Sequence, residues 1–299
     1  MIPGMGRMMI PQTSGGTQTV VFAGTNGDAW TSTDGATLSA KFTLGSGTSI
    51  AGVAYRSGTW VACNERYIYS SPDATAWTQR YDMTGGGGAA PVCVVSGNGE
   101  FIARTNGSAA AFLYSSNGTS WSASSAVTIS ARSIAWSSDL SIYVCVGNSG
   151  AIVTGATAAG AWTSRTSGTA NNLFCVAYGN GKFVAVGASG TIRYSTTGLT
   201  WTGATSGTTE ALYSVCWTGS YFIACGSTGA LLRSAGGVTW STLTSGTTNP
   251  ILGVFANGTY VFAMGQNVVL RSTDSGASFS SFSASVPSLS NSVYPTEGA

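Results

Sequence analysis

Seven short runs of small polar residues and glycine recur along the chain, and each closes on a bulky apolar residue. They are Ser32-Thr-Asp-Gly-Ala-Thr-Leu38, Ser71-Pro-Asp-Ala-Thr-Ala-Trp77, Ser115-Ser-Asn-Gly-Thr-Ser-Trp121, Thr154 to Trp162, Ser195-Thr-Thr-Gly-Leu-Thr-Trp201, Ser234-Ala-Gly-Gly-Val-Thr-Trp240 and Ser272-Thr-Asp-Ser-Gly-Ala-Ser-Phe279. The steps between closing residues are roughly 40 positions, the period of one four-stranded propeller blade. Such a unit cannot bury its apolar faces alone, so its copies must stack. The 299 residues therefore read as one ring rather than two ordinary domains. The expected class is all-β: a seven-bladed β-propeller of four-stranded antiparallel blades over residues 17–299, preceded by an N-terminal arm, 1–16.

The fifth copy shows the blade most clearly. A first strand runs from Leu173 to Tyr178, and Gly179-Asn-Gly181 supplies the positive φ that a tight hairpin needs. The second strand, Phe183 to Val186, is apolar throughout, as expected between two neighbouring blades. A third strand covers Thr191 to Tyr194, and the Ser195 run turns into a fourth, Thr200 to about Ala204. Hairpin turns recur at Arg56-Ser-Gly58, Gly97-Asn-Gly99, Ser137-Ser-Asp139, Thr218-Gly-Ser220 and Asn257-Gly-Thr259. Linkers recur at Gly45-Ser-Gly-Thr48, Ser167-Gly-Thr169, Ser206-Gly-Thr208 and Ser245-Gly-Thr247. The first copy starts late, because Val20 to Gly24 matches a second strand. Its inner strand must come from the arm, near 8–14, or from the C-terminal tail, near 288–294. The tail (about 284–299) is favoured, since Pro3 and Pro11 make the arm a poor strand. Closure of either kind removes exposed sheet edges.

Composition narrows the functional classes. Charged residues are 7% of the chain, histidine is absent and the net charge is +2. Such a chain offers no large basic field for nucleic acid or an anionic membrane. Hydrophobic residues make up 43%, enough for a large core and unlike a disordered chain. No run of about 18 apolar residues marks a membrane span, and the first residues lack the apolar stretch and cleavage site of a signal peptide. The sequons at Asn106, Asn117 and Asn257 then carry no glycan. Six cysteines (Cys63, Cys93, Cys145, Cys175, Cys216 and Cys225) sit in apolar strand patterns, form no Cys-x-x-Cys pair and have no histidine to complete a zinc site. They read as small buried thiols. Cys216 and Cys225 flank one hairpin, but its turn near Gly219 pairs Cys216 with about residue 223, so no disulfide is expected there. No metal and no cofactor are expected.

The seven runs resemble Asp-box, or BNR, repeats, whose family form is Ser-x-Asp-x-Gly-x-Thr-Trp. Ser272 to Phe279 matches over its full length with Phe in place of Trp, while Asn117, Thr197 and Gly237 replace the Asp elsewhere. The resemblance covers nearly the whole chain. It implies that each run is the turn between third and fourth strands, with Ser and Asp satisfying turn amides and the aromatic residue packing into the blade. Asp34, Asp73 and Asp274 are then structural, because sibling copies have lost the Asp without losing the turn.

Strand order puts the hairpin turns and the runs on one face, and the second-to-third turns and linkers on the other. That second face carries Asn26, Asp28, Asn64, Glu65, Arg66, Asn106, Asn148, Glu210, Gln266 and Asn267, with Ser189 and Thr228 beside them. It is polar with few charges, suited to sugar hydroxyls or to another protein's backbone. Sialidases resemble this fold, but retaining glycosidases need two carboxyl groups about 5 Å apart. The acids here are Asp28, Glu65 and Glu210, and Glu210 lies nearly opposite the others. Arg193, Arg233 and Arg271 end third strands toward the face of the runs. A Ser-His-Asp triad is impossible without histidine, and Gly85–Gly88 lacks the lysine of a phosphate loop. No catalytic residue is assigned.

The leading expectation is a non-enzymatic virion protein, structural or adhesive, such as a bacteriophage tail or capsid-surface component assembled in the host cytoplasm. Sparse charge and abundant Ser, Thr and Gly motivate it. So does the apolar arm Met1-Ile-Pro-Gly-Met-Gly-Arg-Met-Met-Ile-Pro11, which suits docking on other virion proteins. A host-surface glycan is the further partner expected; nucleic acid and membrane insertion are not. The alternatives are an assembly-factor propeller resembling photosystem II assembly proteins and a sialidase-like glycosidase.

Overall fold

The computed structural model describes residues 20–23, 28–32, 41–44, 50–64, 66–82, 91–105, 112–124, 129–256, 260–265 and 268–282. Among these, seven antiparallel sheets follow one another along the chain. The first has three strands, β1 (Val20–Ala23), β2 (Asp28–Ser32) and β3 (Lys41–Thr43). Six four-stranded sheets come next. They comprise β4 (Ile50–Arg56), β5 (Thr59–Asn64), β6 (Tyr67–Ser71) and β7 (Thr78–Asp82); then β8 (Pro91–Gly97), β9 (Glu100–Thr105), β10 (Phe112–Ser115) and β11 (Ser122–Ser124). The fourth and fifth sheets comprise β12 (Ala131–Ser137), β13 (Ile142–Gly147), β14 (Ile152–Gly155) and β15 (Thr163–Arg165); then β16 (Leu173–Gly179), β17 (Lys182–Gly187), β18 (Ile192–Ser195) and β19 (Thr202–Ala204). The last two comprise β20 (Leu212–Trp217), β21 (Phe222–Gly226), β22 (Leu231–Ser234) and β23 (Ser241–Thr242); then β24 (Ile251–Ala256), β25 (Val261–Gly265), β26 (Val268–Ser272) and β27 (Ser280–Ser281).

Each sheet is a simple meander, so sequential strands pair and no connection crosses another. The first strands β8, β12, β16, β20 and β24 contact their counterparts in the neighbouring sheets, which makes them the inner edge of the stack. Second strands are covered on both faces. Phe183, Val184, Ala185 and Val186 of β17 are wholly buried, and this is why that strand is continuously apolar rather than alternating. The core is accordingly shared between sheets. One cluster joins Cys175, Val184 and Val186 to Val215, Phe222 and Leu232 of the next sheet. Another joins Val144 and Val146 to Val176 and Phe183.

The hairpin expected at residues 179–181 is present as a two-residue turn. Gly179 pairs with Lys182, and Asn180 and Gly181 take φ of 46° and 69°, the left-handed pair that matches the twist of the flanking strands. The serine-to-tryptophan runs form the third-to-fourth turns. The Ser71 hydroxyl lies 2.9 Å from Asp73 Oδ1, and that oxygen accepts the amides of Thr75 and Ala76 at 2.8 and 3.0 Å. Asn117 repeats the arrangement at 2.9 and 3.0 Å. In the copies that lack the acid, the serine still holds the turn: Ser195 and Ser234 each accept a buried glycine amide at 2.8 Å, and in the first of these Thr197 Oγ1 also accepts the amide of Leu199 at 3.2 Å. The indole nitrogens of Trp77, Trp121, Trp201 and Trp240 donate back to turn carbonyls at 3.0–3.2 Å.

A feature absent from the sequence expectations recurs in all six four-stranded sheets. The pairing of first with second strand slips by one residue, between 50 and 52, 91 and 93, 131 and 133, 173 and 175, 212 and 214, and 251 and 253. Such bulges re-aim the extra residue. They do so here at the start of every inner strand, on the face of the linkers.

The six cysteines are unpaired, and burial pushes the thiols of Cys63, Cys216 and Cys225 upward in pKa. Cys216 pairs with Ile223 in the sheet, not with Cys225. The expected arm and the ring-closing tail lie outside the described residues.

Candidate functional site

The linker face is built from one repeated joint. In Ser167-Gly168-Thr169 the serine hydroxyl contacts the threonine carbonyl at 3.1 Å, and the threonine hydroxyl accepts the amide of Asn171 at 3.1 Å. Ser206 and Thr208, with the amide of Glu210, repeat this at 3.0 and 3.0 Å; Ser245 and Thr247, with Asn249, do so at 3.1 and 3.0 Å. Against each linker rests a tight turn from the second-to-third connection: Asn148–Gly150, Ala188–Gly190 and Ser227–Gly229. The linkers therefore satisfy their own polar groups locally.

The sequence candidates take different places around this frame. Asn64 is wholly buried; its amide nitrogen donates to the Leu44 carbonyl at 3.2 Å, and its oxygen accepts the amides of Arg66 and Tyr67 at 2.9 and 2.7 Å. It holds the turn together and does not face outward. Arg66 stands over the Tyr67 ring at 4.9 Å and 3.7 Å from the Asp82 carboxylate. Glu210 accepts the Ser227 hydroxyl at 2.7 Å. Asn148 accepts from Arg132 Nε at 2.6 Å. Asn26, Glu65, Asn106, Gln266 and Asn267 lie outside the described residues, and of Asp28 only the backbone, in β2, is described.

One arginine departs from expectation. Arg233 does point to the face of the serine-to-tryptophan turns, donating to the Ala277 carbonyl at 3.3 Å. Arg193 instead donates to the carbonyl of Gly168, in a linker on the opposite face. Its strand partner is Gly203, which has no side chain in the way, so the guanidinium crosses the fourth strand.

The bulges produce a cluster that the sequence reading missed. They place Arg132, Phe174 and Tyr213 side by side at the inner edge of the linker face, all half-buried. The Arg132 guanidinium lies 5.2 Å from the centre of the Phe174 ring, and the Phe174 and Tyr213 rings are 6.0 Å apart. Burial lowers the pKa of Arg132, but a guanidinium remains charged in any protein. The signal was present as a column: Ala131-Arg-Ser-Ile134, Leu173-Phe-Cys-Val176 and Leu212-Tyr-Ser-Val215 align at the bulged residue.

No protein-family profile matches the chain, and no curated protein does. Solved structures do. YCF48 bound to D1 peptide is 18% identical with a TM-score of 0.69, covering 90% of this chain and 92% of that one. YCF48 from Cyanidioschyzon merolae is 16% identical with a TM-score of 0.69, covering 90% and 96%. The WD40 β-propeller domain of Doa1 is 13% identical with a TM-score of 0.64, covering 86% and 87%. The fold is a β-propeller.

Each four-stranded sheet is then a blade, with its first strand nearest the axis. Two clefts open on the linker face of these blades. The larger, about 810 Å³, lies between Glu210, the turn at Thr228 and the linker at Gly246. The smaller, about 430 Å³, occupies the equivalent place two blades earlier, between Ser149, Arg165 and Gly168. Apart from Glu210 and Arg165, their walls are mainly hydroxyls, backbone and short apolar side chains, a surface made for hydrogen bonding. Among the described residues no group of three His, Cys, Asp or Glu side chains could hold a metal ion, and no helix is long and apolar enough to cross a membrane.

Proposed function

We propose that this chain is a non-enzymatic propeller that binds a peptide segment of a partner protein through its linker face, in the manner of an assembly factor. The observation that carries the reading is the likeness, over 90% of the chain, to a propeller bound to a peptide. The chemistry of the face agrees with it. Clefts walled largely by hydroxyls and carbonyls match a peptide backbone, and half-buried aromatic rings at the axis offer anchors of the kind that dominate binding energy. Glycosidase chemistry has less behind it. The Glu210 carboxylate is engaged by Ser227, and the arginines at third-strand ends diverge to two faces rather than converging on one anion.

We also read the ring as seven-bladed and its serine-to-tryptophan turns as Asp-box turns. The three strands β1, β2 and β3 pair in the order of strands two to four of a blade. The hydroxyl of Ser272 meets Asp274 at 2.6 Å as that of Ser71 meets Asp73. The virion reading rests on composition and the Met-rich arm and gains no support from the fold.

Selection of binders from a displayed random-peptide library on the immobilised full chain tests the proposal. Hydrogen exchange with a selected peptide should protect the linkers 167–169, 206–208 and 245–247. Protection confined to the opposite face, or selection of no peptide, overturns it. Binding to a glycan array instead, together with fixed stoichiometry in purified virus particles, would restore the virion adhesin.

A further inference from the structure

We propose that Arg132, Phe174 and Tyr213 form a carboxylate-recognition site at the axis end of the linker face, taking a peptide carboxylate that sits next to an aromatic side chain. The inference rests on the peptide-binding reading and names the chemistry that reading leaves open.

Three independent features meet at this point. The first is the charge. Among the described first strands only Arg56 and Arg132 are charged, and Arg56 sits at the far end of β4, donating to the Ser116 carbonyl at 3.0 Å. Arg132 is thus the lone charge at the linker end of these inner strands. It is half-buried and has no carboxylate partner among the described residues. A desolvated cation without an anion is costly to keep unless something compensates it.

The second feature is orientation. Asn148 holds Nε at 2.6 Å, which fixes the guanidinium plane while its two Nη nitrogens make no hydrogen bond among the described residues. That is the edge with which arginine binds a carboxylate through paired bonds. A neutral amide is suited to this task, since it orients the cation without cancelling its charge. Asn148 is therefore a positioning residue.

The third feature is the row of rings. Arg132, Phe174 and Tyr213 occupy one column in three successive blades because each is the extra residue of its bulge. With Leu252 at the same position of the next blade, they make a strip, positive at one end and apolar beyond it. A further aromatic group can pack edge-on or offset against the exposed side of such a ring pair. A carboxylate with a neighbouring aromatic side chain complements both ends. The carboxylate has two sources, the free end of a chain or an aspartate or glutamate within it.

The test uses the full-length chain, uniformly labelled with nitrogen-15, and small probes of defined chemistry. N-acetyl-phenylalanine and N-acetyl-phenylalaninamide differ in the terminal carboxylate alone. Acetyl-Phe-Asp-amide and acetyl-Phe-Asn-amide differ in the side-chain carboxylate alone. The Nε resonance of Arg132, identified by its loss in Arg132→Gln, should shift saturably with a carboxylate probe and stay unmoved with its amide. Whichever pair discriminates names the source. Arg132→Gln and Arg132→Lys should each weaken the carboxylate probe by about tenfold or more, since lysine lacks the fork. Phe174→Ala should weaken it too, and melting curves establish that each variant is folded. No saturable shift with either carboxylate, or equal shifts with the amides, overturns the site. Either result leaves the peptide reading standing if selected library peptides still protect the linkers, so the two failures are distinguishable.

Discussion

Replacing Gly190 by alanine, with Gly181 as its control, separates backbone strain from the packing of turn on linker. Both glycines adopt a left-handed backbone, with φ of +66° and +69°, and a non-glycine residue there costs about 1–2 kcal/mol. Their surroundings differ completely. A Cβ on Gly181 meets nothing within 4 Å, whereas one on Gly190 falls 1.9 Å from the Thr208 carbonyl oxygen. Ordinary carbon–oxygen contact begins at about 3.3 Å, so the linker must retreat by about 1.4 Å. That motion breaks the Ser206–Thr208 contact and endangers the hydrogen bond from Glu210 to Thr208, both 3.0 Å long. At about 1 kcal/mol each, these raise the cost of Gly190→Ala to about 3–4 kcal/mol. In a chain of this size 1 kcal/mol corresponds to about 2 °C in Tm. Gly181→Ala should therefore lower Tm by about 2–4 °C, and Gly190→Ala by about 6–8 °C, by differential scanning calorimetry at matched concentration. Equal shifts would refute the reasoning, because the clash with the linker would then contribute nothing.

Tyr143 occupies the place of Phe101, Phe183 and Phe222 in sibling blades, and its buried hydroxyl lacks a hydrogen-bond partner of good geometry although Glu100 lies nearby. Tyr143→Phe should stabilise the fold by about 1 kcal/mol, read from the urea midpoint at unchanged slope; a lower midpoint would show that the hydroxyl is bonded. Asp274 provides a pH-dependent contribution. Burial raises its pKa, but bonds from Ser272, Ser278 and Ala277 outweigh this and hold it at about 2, against about 3.9 unfolded. A carboxyl depressed on folding stabilises fully above the unfolded value and loses that contribution as pH falls toward the folded one. Tm of the wild type should exceed that of Asp274→Asn above about pH 4, with the gap closing near pH 2; parallel curves across that window would contradict the turn chemistry.

The turns were the most legible part of the chain, because their demand is local. Asn180-Gly181 had to supply two positive φ values, and few residue pairs do so. Ser71 and Asp73 had to meet turn amides within reach. The inner-strand bulge was not legible, since the extra positions hold Arg132, Phe174 and Tyr213, ordinary strand residues that mark no irregularity in a single copy. Only the slipped register sets them side by side. Asn64 was misjudged as a surface group for a similar reason. A polar residue beside a turn reads as solvated, but its amide satisfies the Leu44 carbonyl and two turn amides inside the protein. Arg193 shows the limit for long side chains: the strand sets the Cα, while the missing side chain of Gly203 decides where the charge goes.

Successive blades are fastened at their outer-turn face by a bond of one recurring type. Arg56 reaches the Ser116 carbonyl, Asn98 that of Ala156, Asn180 that of Ala235, and Thr218 that of Ser275, at 3.0, 3.0, 3.3 and 2.9 Å. In these four joints the acceptor is main chain, so the fastening there is indifferent to which side chain the receiving turn carries; between the fourth and fifth sheets the Tyr178 hydroxyl donates instead to the Asp139 carboxylate at 2.8 Å. Copies as eroded as the run from Thr154 to Trp162 keep their seat for that reason. Mutation can therefore drift through these turns without unseating a neighbour, and a duplicated or exchanged repeat arrives with its coupling already in place.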